Sequence, residues 1–316
     1  MREVRGGVLL ALVLLVAAYA FSPRPVPRFP ATGVAVDSVL LLAAARAGDR
    51  VVAAGERGKV FLSDDQGRTW RQAKTPTQST LTAVYFRDAQ HGWAVGHDAV
   101  ILRTLDGGET WEQTHFAPEE QKPLLDVWFA GADKGYAVGA YGSFYESTDA
   151  GASWHPRKVL EGDRHLNALA QAADGKLFLA GEGGTLLRSP DGGRTWEPLA
   201  SPYKGSFFGV RGAKDGSVLA FGLRGKVFRS ADSGATWQPV DTGTQASLMG
   251  GSVLDDGSIV LVGQDGAILF SRDNGKSFAL QERADGKTIA AAVAVGPRTL
   301  LLFGESGVAR AELPGR

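Results

Sequence analysis

The sequence holds 316 residues with 34 basic against 34 acidic side chains and no Cys. An even charge balance removes the electrostatic footing of a nucleic-acid binder. The lack of Cys excludes disulfides, thiolate metal sites and a Cys nucleophile, while 44% apolar residues suffice for a large core.

The chain opens with Arg2 and Arg5 ahead of an apolar run from Val8 to Ala20, ending in the small-x-small pattern Ala18-Tyr19-Ala20. The run falls short of the roughly 20 residues of a membrane span, so residues 1–20 read as an export signal. The alternative is an uncleaved anchor over Gly6–Phe21. Either places the body of the protein in the periplasm or on the extracytoplasmic face of a membrane. Four prolines between Ser22 and Pro30 make the next stretch extended and able to pair only along a sheet edge.

From residue 36 the pattern is all β. Val36–Ala45 and Arg50–Ala54 read as strands, Gly55-Glu56-Arg57-Gly58 as a turn, Lys59–Leu62 as a third strand and Thr69–Gln72 as a fourth. Between the last two lies an octet with a hydroxyl residue first, Asp third, Gly fifth, Ser or Thr seventh and an aromatic eighth. It recurs six times. Its Asp and aromatic residues are Asp65 and Trp70, Asp106 and Trp111, Asp149 and Trp154, Asp191 and Trp196, Asp232 and Trp237, Asp273 and Phe278. The aromatics step by 41, 43, 42, 41 and 41 residues. A period of that length made of short strands is a β-propeller with one four-stranded antiparallel blade per repeat.

A second marker counts the blades. Gly-x-x-Gly begins at Gly55, Gly139, Gly181, Gly222, Gly263 and Gly304, with a variant at Gly96 where Ala99 replaces the second Gly. The expected fold is therefore a seven-bladed β-propeller over 36–316 whose last blade lacks the octet and has only three strands before the chain ends. Residues 21–35 are expected to supply its fourth strand, since open edges invite aggregation.

In the octet the Asp suits a hairpin turn, accepting backbone N–H groups, and the Gly supplies positive φ. Six such Asp residues spread round a ring cannot converge on one substrate, so they read as structural. The octet is the Asp-box, or BNR, repeat. The longer unit Gly92-Trp93-Ala94-Val95-Gly96, followed by Ile101 to Trp111, resembles the photosystem II stability/assembly factor family of seven-bladed propellers. Gly135-Tyr136-Ala137-Val138-Gly139 repeats it. The resemblance covers about residues 36–312 and implies a non-enzymatic scaffold that holds a membrane or envelope protein through a basic patch. No His-Glu-x-x-His motif appears and the five His are scattered, so no metal and no cofactor are expected.

Strand order puts the Gly-x-x-Gly turns on the same face as the connections between blades, and the boxes on the other. The turn-bearing face is thus the expected binding face. Arg57, Arg157, Lys158, Arg164, Lys204 and Arg224 are the candidate residues for gripping an acidic segment or a C-terminal carboxylate; the competing reading is a solvated surface, with Glu161 and Asp163 among these charges. No catalytic residue is identified. His165, Asn167 and Asp126 read as channel-lining hydrogen-bonders and Phe207-Phe208 as inner-strand core. No nucleic acid partner and a monomeric state are expected. The enzyme alternative is a sialidase-like glycosidase, for which Tyr141 and Glu182 on adjacent turns form the candidate pair.

Overall fold

A computed structural model of the protein describes residues 35–313. The expected export signal at 1–20, and all but the last residue of the expected closing segment at 21–35, lie outside the described residues. Seven antiparallel sheets follow one another along the chain. Blade one comprises Leu41–Ala47, Arg50–Gly55, Val60–Ser63 and Arg71–Gln72, paired in that order. Blades two to six repeat the plan, with inner strands Leu81–Phe86, Leu124–Ala130, Leu166–Gln171, Phe207–Gly212 and Leu248–Val253. Blade seven contributes Ile289–Ala294, Thr299–Gly304 and Gly307–Glu312, three strands among the described residues. Each inner strand packs on the next, and Leu41–Ala47 packs on Ile289–Ala294, so the ring is closed. The fold is a seven-bladed β-propeller.

Two boundaries differ from the sequence pattern. Val36–Ser38 is a 3-10 turn and the first strand begins at Leu41. Ser38 donates both its N–H and its hydroxyl to the Ala35 carbonyl, which closes the turn. Val36 and Asp37 also press on Gly307 of blade seven, as Thr77 presses on Gly58 in blade one and Thr244 on Gly225 in blade five. The segment therefore occupies the place of a blade-to-blade connection. The fourth strand of blade one is only Arg71–Gln72, because Thr69 and Trp70 belong to the box turn.

Seven apolar clusters fill the seven interfaces between blades. Between blades two and three, for example, Trp93 stacks on Phe129 with ring centroids 3.5 Å apart, and Trp154 meets Phe129 edge-on. The second strands, such as Ile259–Gly263, are buried throughout apart from the leading Arg50, Lys134 and Thr299, since both faces of a blade are covered. That explains their unbroken apolar sequence.

Each box is a closed hydrogen-bond circuit. The Ser230 hydroxyl donates to Asp232 Oδ1 (2.8 Å) and accepts the Gly234 N–H (2.7 Å), while the same carboxylate accepts the Thr236 N–H (2.9 Å) and hydroxyl (2.6 Å). The other five boxes make the same four bonds. Box position four is left-handed as well as position five: Ser233 has φ 56 and Gly234 φ 87. The carbonyl at position four then faces the preceding blade and accepts a donor from it. Arg50 reaches Gly107 (3.0 Å), Tyr136 reaches Gly192 (2.6 Å), Arg188 reaches Ser233 (2.7 Å) and Arg229 reaches Asn274 (2.9 Å). Trp93 serves Ala150 (3.2 Å) and Arg310 serves Gln66. Every box is tied to the blade before it.

These circuits hold the box carboxylates ionised. The hydroxyl and N–H of Thr69, Ser153 and Thr236 pull Asp65, Asp149 and Asp232 down to about 2. A folded-state pKa below the unfolded value of about 3.9 contributes stability above that value and loses it as pH falls through the folded pKa. The melting temperature should therefore fall between about pH 4 and 2, and Asp232→Asn should lose less over that window than the parent. Equal losses in thermal melts would refute the assignment. The box tryptophans give a second test. Trp111 Nε1 donates to the Gly108 carbonyl at 3.0 Å, whereas the buried Trp154 Nε1 finds no acceptor among the described residues. Losing a made bond costs more than losing an unmade one, so Trp111→Phe should destabilise more than Trp154→Phe by about 1 kcal/mol in urea titrations.

Candidate partner-binding face

Strands alternate in direction, so the turns between second and third strands share one face and the boxes occupy the other. On the turn face the first Gly of each turn lies against the chain entering the inner strand. A Cβ on Gly55 would overlap the Leu40 carbonyl oxygen, and the same holds at the equivalent Gly in every blade. The residue after that Gly donates its N–H to the same carbonyl: Glu56 to Leu40 at 3.0 Å, Glu182 to His165 at 2.9 Å. The turn tip that follows is left-handed in six blades. It holds Arg57, Asp98, Tyr141, Gly183, Arg224 and Asp265 in blades one to six.

The structure distributes the six candidate cations unevenly. Arg164, Lys204 and Arg224 are exposed on the turn face of neighbouring blades four and five, with no carboxylate partner among the described residues. Arg57 is exposed on the same face, but at blade one across the ring. Lys158 is exposed and paired with Glu161 at 2.6 Å. Arg157 does not join the patch. Its guanidinium pairs with Glu146 at 3.0 Å and donates to the carbonyls of Gly193 and Arg194 in the box of blade four, on the opposite side of the ring.

His165 is not a channel residue. It precedes the inner strand of blade four and sits between two turn tips. The Tyr141 N–H donates to His165 Nδ1 at 3.0 Å, and the two rings meet edge-on with centroids 4.9 Å apart. The Glu182 carboxylate accepts the His165 backbone N–H at 3.1 Å. Tyr141 and Glu182 thus meet through His165, and the bond that joins the turns of blades three and four comes from the Tyr141 backbone rather than from its ring. Tyr141 itself stays 54% exposed. Phe207 is fully buried, but Phe208 faces the central channel rather than the core.

Asn167 and Asp126 do line the channel, together with Arg211, which the repeat pattern does not mark. All three stitch blades. Asp126 accepts the Leu169 N–H at 2.8 Å, Asn167 donates to the Phe207 carbonyl at 2.7 Å and Arg211 to the Gly251 carbonyl at 2.8 Å. Burial pushes the Asp126 carboxyl up, against the pull of the Arg211 charge and of the N–H groups of Leu169 and Val127.

The family model for the photosynthesis system II assembly factor YCF48 matches residues 62–123 and 117–253. The chain belongs to the YCF48 family. Its relatives include the photosystem II assembly lipoprotein Ycf48 of Prochlorococcus marinus, 40% identical over 146 residues, which is 45% of this chain and 43% of that protein. The chloroplast photosystem II stability/assembly factor HCF136 of Cyanidioschyzon merolae is 42% identical over 62 residues, 19% of this chain and 14% of that one. The chain thus matches less than half the length of these relatives. Among solved structures, YCF48 bound to D1 peptide superposes with a TM-score of 0.70 at 18% identity, covering 88% of this chain and 93% of that one. Virginiamycin B lyase from Staphylococcus aureus superposes at 0.75 with 11% identity, covering 88% and 96%. At such identities the superpositions speak for the fold alone. Where the Prochlorococcus relative is named a lipoprotein, this YCF48-family sequence has no Cys to acylate.

The turn tips yield a test. Tyr141 at φ 53 is in a conformation that an L side chain occupies at a cost of about 1 kcal/mol, and Gly occupies freely. Tyr141→Gly should leave stability unchanged within about 0.5 kcal/mol or raise it, as read in denaturant melts. A loss above 1 kcal/mol would show that the ring is held for folding.

Proposed function

We propose that this chain is an exported assembly factor that holds a membrane or envelope protein by its turn-bearing face, gripping an acidic segment or C-terminal carboxylate. The observation that carries the reading is a coincidence of position. The family match runs from the third strand of blade one to the inner strand of blade six, and blades four and five within it hold the exposed cations Arg164, Lys204 and Arg224. A solved YCF48 bears a D1 peptide, which supports a protein segment as the ligand class. Guanidinium groups suit carboxylates because their planar donors bind both oxygens at once. The leader pattern of Arg2, Arg5 and Val8–Ala20 supports export. The role asked of the face is binding and orientation, and it needs no group beyond the chain.

The double variant Arg164→Glu/Arg224→Glu tests the reading. A charge-assisted pair contributes roughly 1.5–3 kcal/mol, so capture of the client from native membranes should fall at least tenfold while the melting temperature stays that of the parent. Undiminished capture would overturn the assignment of the site. Recovery of no membrane protein by the parent would overturn the function.

A further inference from the structure

Every inner strand begins with the same β-bulge. In blade one the pairing runs from Leu41 opposite Gly55 to Ala43 opposite Ala54, skipping Leu42, and the other six blades skip the equivalent residue. The residue before each skip is 0% exposed in all seven blades. The skipped residue is aimed instead into the channel, as bulges re-aim side chains. Seven such residues ring the mouth of the channel on the turn face, around a cavity of about 180 Å³.

What these positions carry is uneven. Thr82 and Asn167 are polar and are consumed in ties to the next blade, donating to the carbonyls of Leu124 (2.6 Å) and Phe207 (2.7 Å). The other five are Leu42, Leu125, Phe208, Met249 and Ala290, and Met249 is 39% exposed. One backbone geometry accepts Thr, Asn and Ala as readily as Leu, Met or Phe, so the fold does not require large apolar side chains there. Phe208, Met249, Ala290 and Leu42 succeed one another on blades five, six, seven and one, at a mouth open to water whose lining also includes Asp126 and Arg211, and a run of exposed apolar side chains marks an interaction site. Phe208 shares blade five with Lys204 and Arg224, flanked by Met249 on blade six and Arg164 on blade four, all at the turn-bearing end of the ring. An apolar centre with a charged rim is the anatomy of a binding hot spot.

We propose that this collar anchors the partner. It takes one side chain of Leu, Met or Phe size from an extended protein segment, whose flanking acidic residues reach Arg164, Lys204 and Arg224. The inference rests on the partner-binding reading of this face and adds which part of the segment carries the affinity.

Short fluorescein-labelled peptides with a central leucine between paired aspartates, and their central-serine counterparts, provide the probe for anisotropy titrations. The leucine peptide should bind the parent at least tenfold more tightly than the serine peptide. Met249→Glu should abolish that preference, and Leu125→Gln guards against a folding artefact at one position; thermal melts should match the parent for both. Equal binding of the two peptides, no binding of either, or collar variants that keep the preference would each overturn the anchor. A parent that sediments as a dimer and becomes monomeric on Met249→Glu would also overturn it, assigning the collar to a second copy of this chain. The partner-binding reading fails separately, if the parent captures no membrane protein.

Discussion

One backbone contact governs the turn-bearing side of the ring. In each blade the residue after the first turn Gly donates its N–H to the carbonyl just before the inner strand, as Glu56 does to Leu40 and Gln264 to Ser247. The two segments approach so closely that no Cβ fits on that Gly. With the strand entrance pinned to the turn, the inner strand absorbs the mismatch as a bulge one residue later. The bulge in turn aims the collar side chains into the channel. The glycine period, the bulge and the collar are three consequences of a single hydrogen bond repeated seven times.

The opposite side is governed by a different device. A box can close on itself, but it joins the ring only if something in the preceding blade meets the carbonyl at its fourth position. Arg188 of blade four, Arg229 of blade five and Arg310 of blade seven do so from equivalent places on their third strands. The equivalent residue in blade six is Phe270, buried in the cluster with Val260, Leu302 and Leu313. The next blade has no box to receive a donor. The apolar substitution and the missing box are two sides of one change, with Leu313 filling part of the interface that a box would cover.

Much of the architecture was legible because period and chemistry coincide. A hydroxyl, an Asp and a Gly at fixed spacing form a circuit that any blade can hold, so the sequence repeats it wherever it occurs. The ties between blades are less legible. Their donors vary among Arg, Tyr and Trp and sit 45 to 57 residues from their acceptors, or 244 for Arg310 and Gln66, which local pattern cannot connect. Arg157 looked like a loop cation on composition, yet its reach is to the neighbouring box. His165 and Phe208 depart from the strand alternation for a different reason. The bulge moves the channel-facing residue along by one, so His165 stays at the turns while Phe208 turns inward. A one-residue shift reverses which face a side chain meets.

The left-handed turn tips bear on why the two faces differ. Box carboxylates and their donors are consumed in holding the ring together, and substitutions there act on stability. At the tips the backbone demands positive φ, which Gly meets at least cost, as Gly183 does in blade four. Blades one, three and five nonetheless place Arg57, Tyr141 and Arg224 in that conformation, all three exposed. A large side chain held in a disfavoured backbone region and turned to solvent adds little to folding. Strain kept where a cheaper residue would fit points to what the side chain meets outside the protein. The rigid bonded frame below the tips makes such presentation possible, because the position of each tip is set by the hydrogen bond to the inner strand and not by the residue displayed.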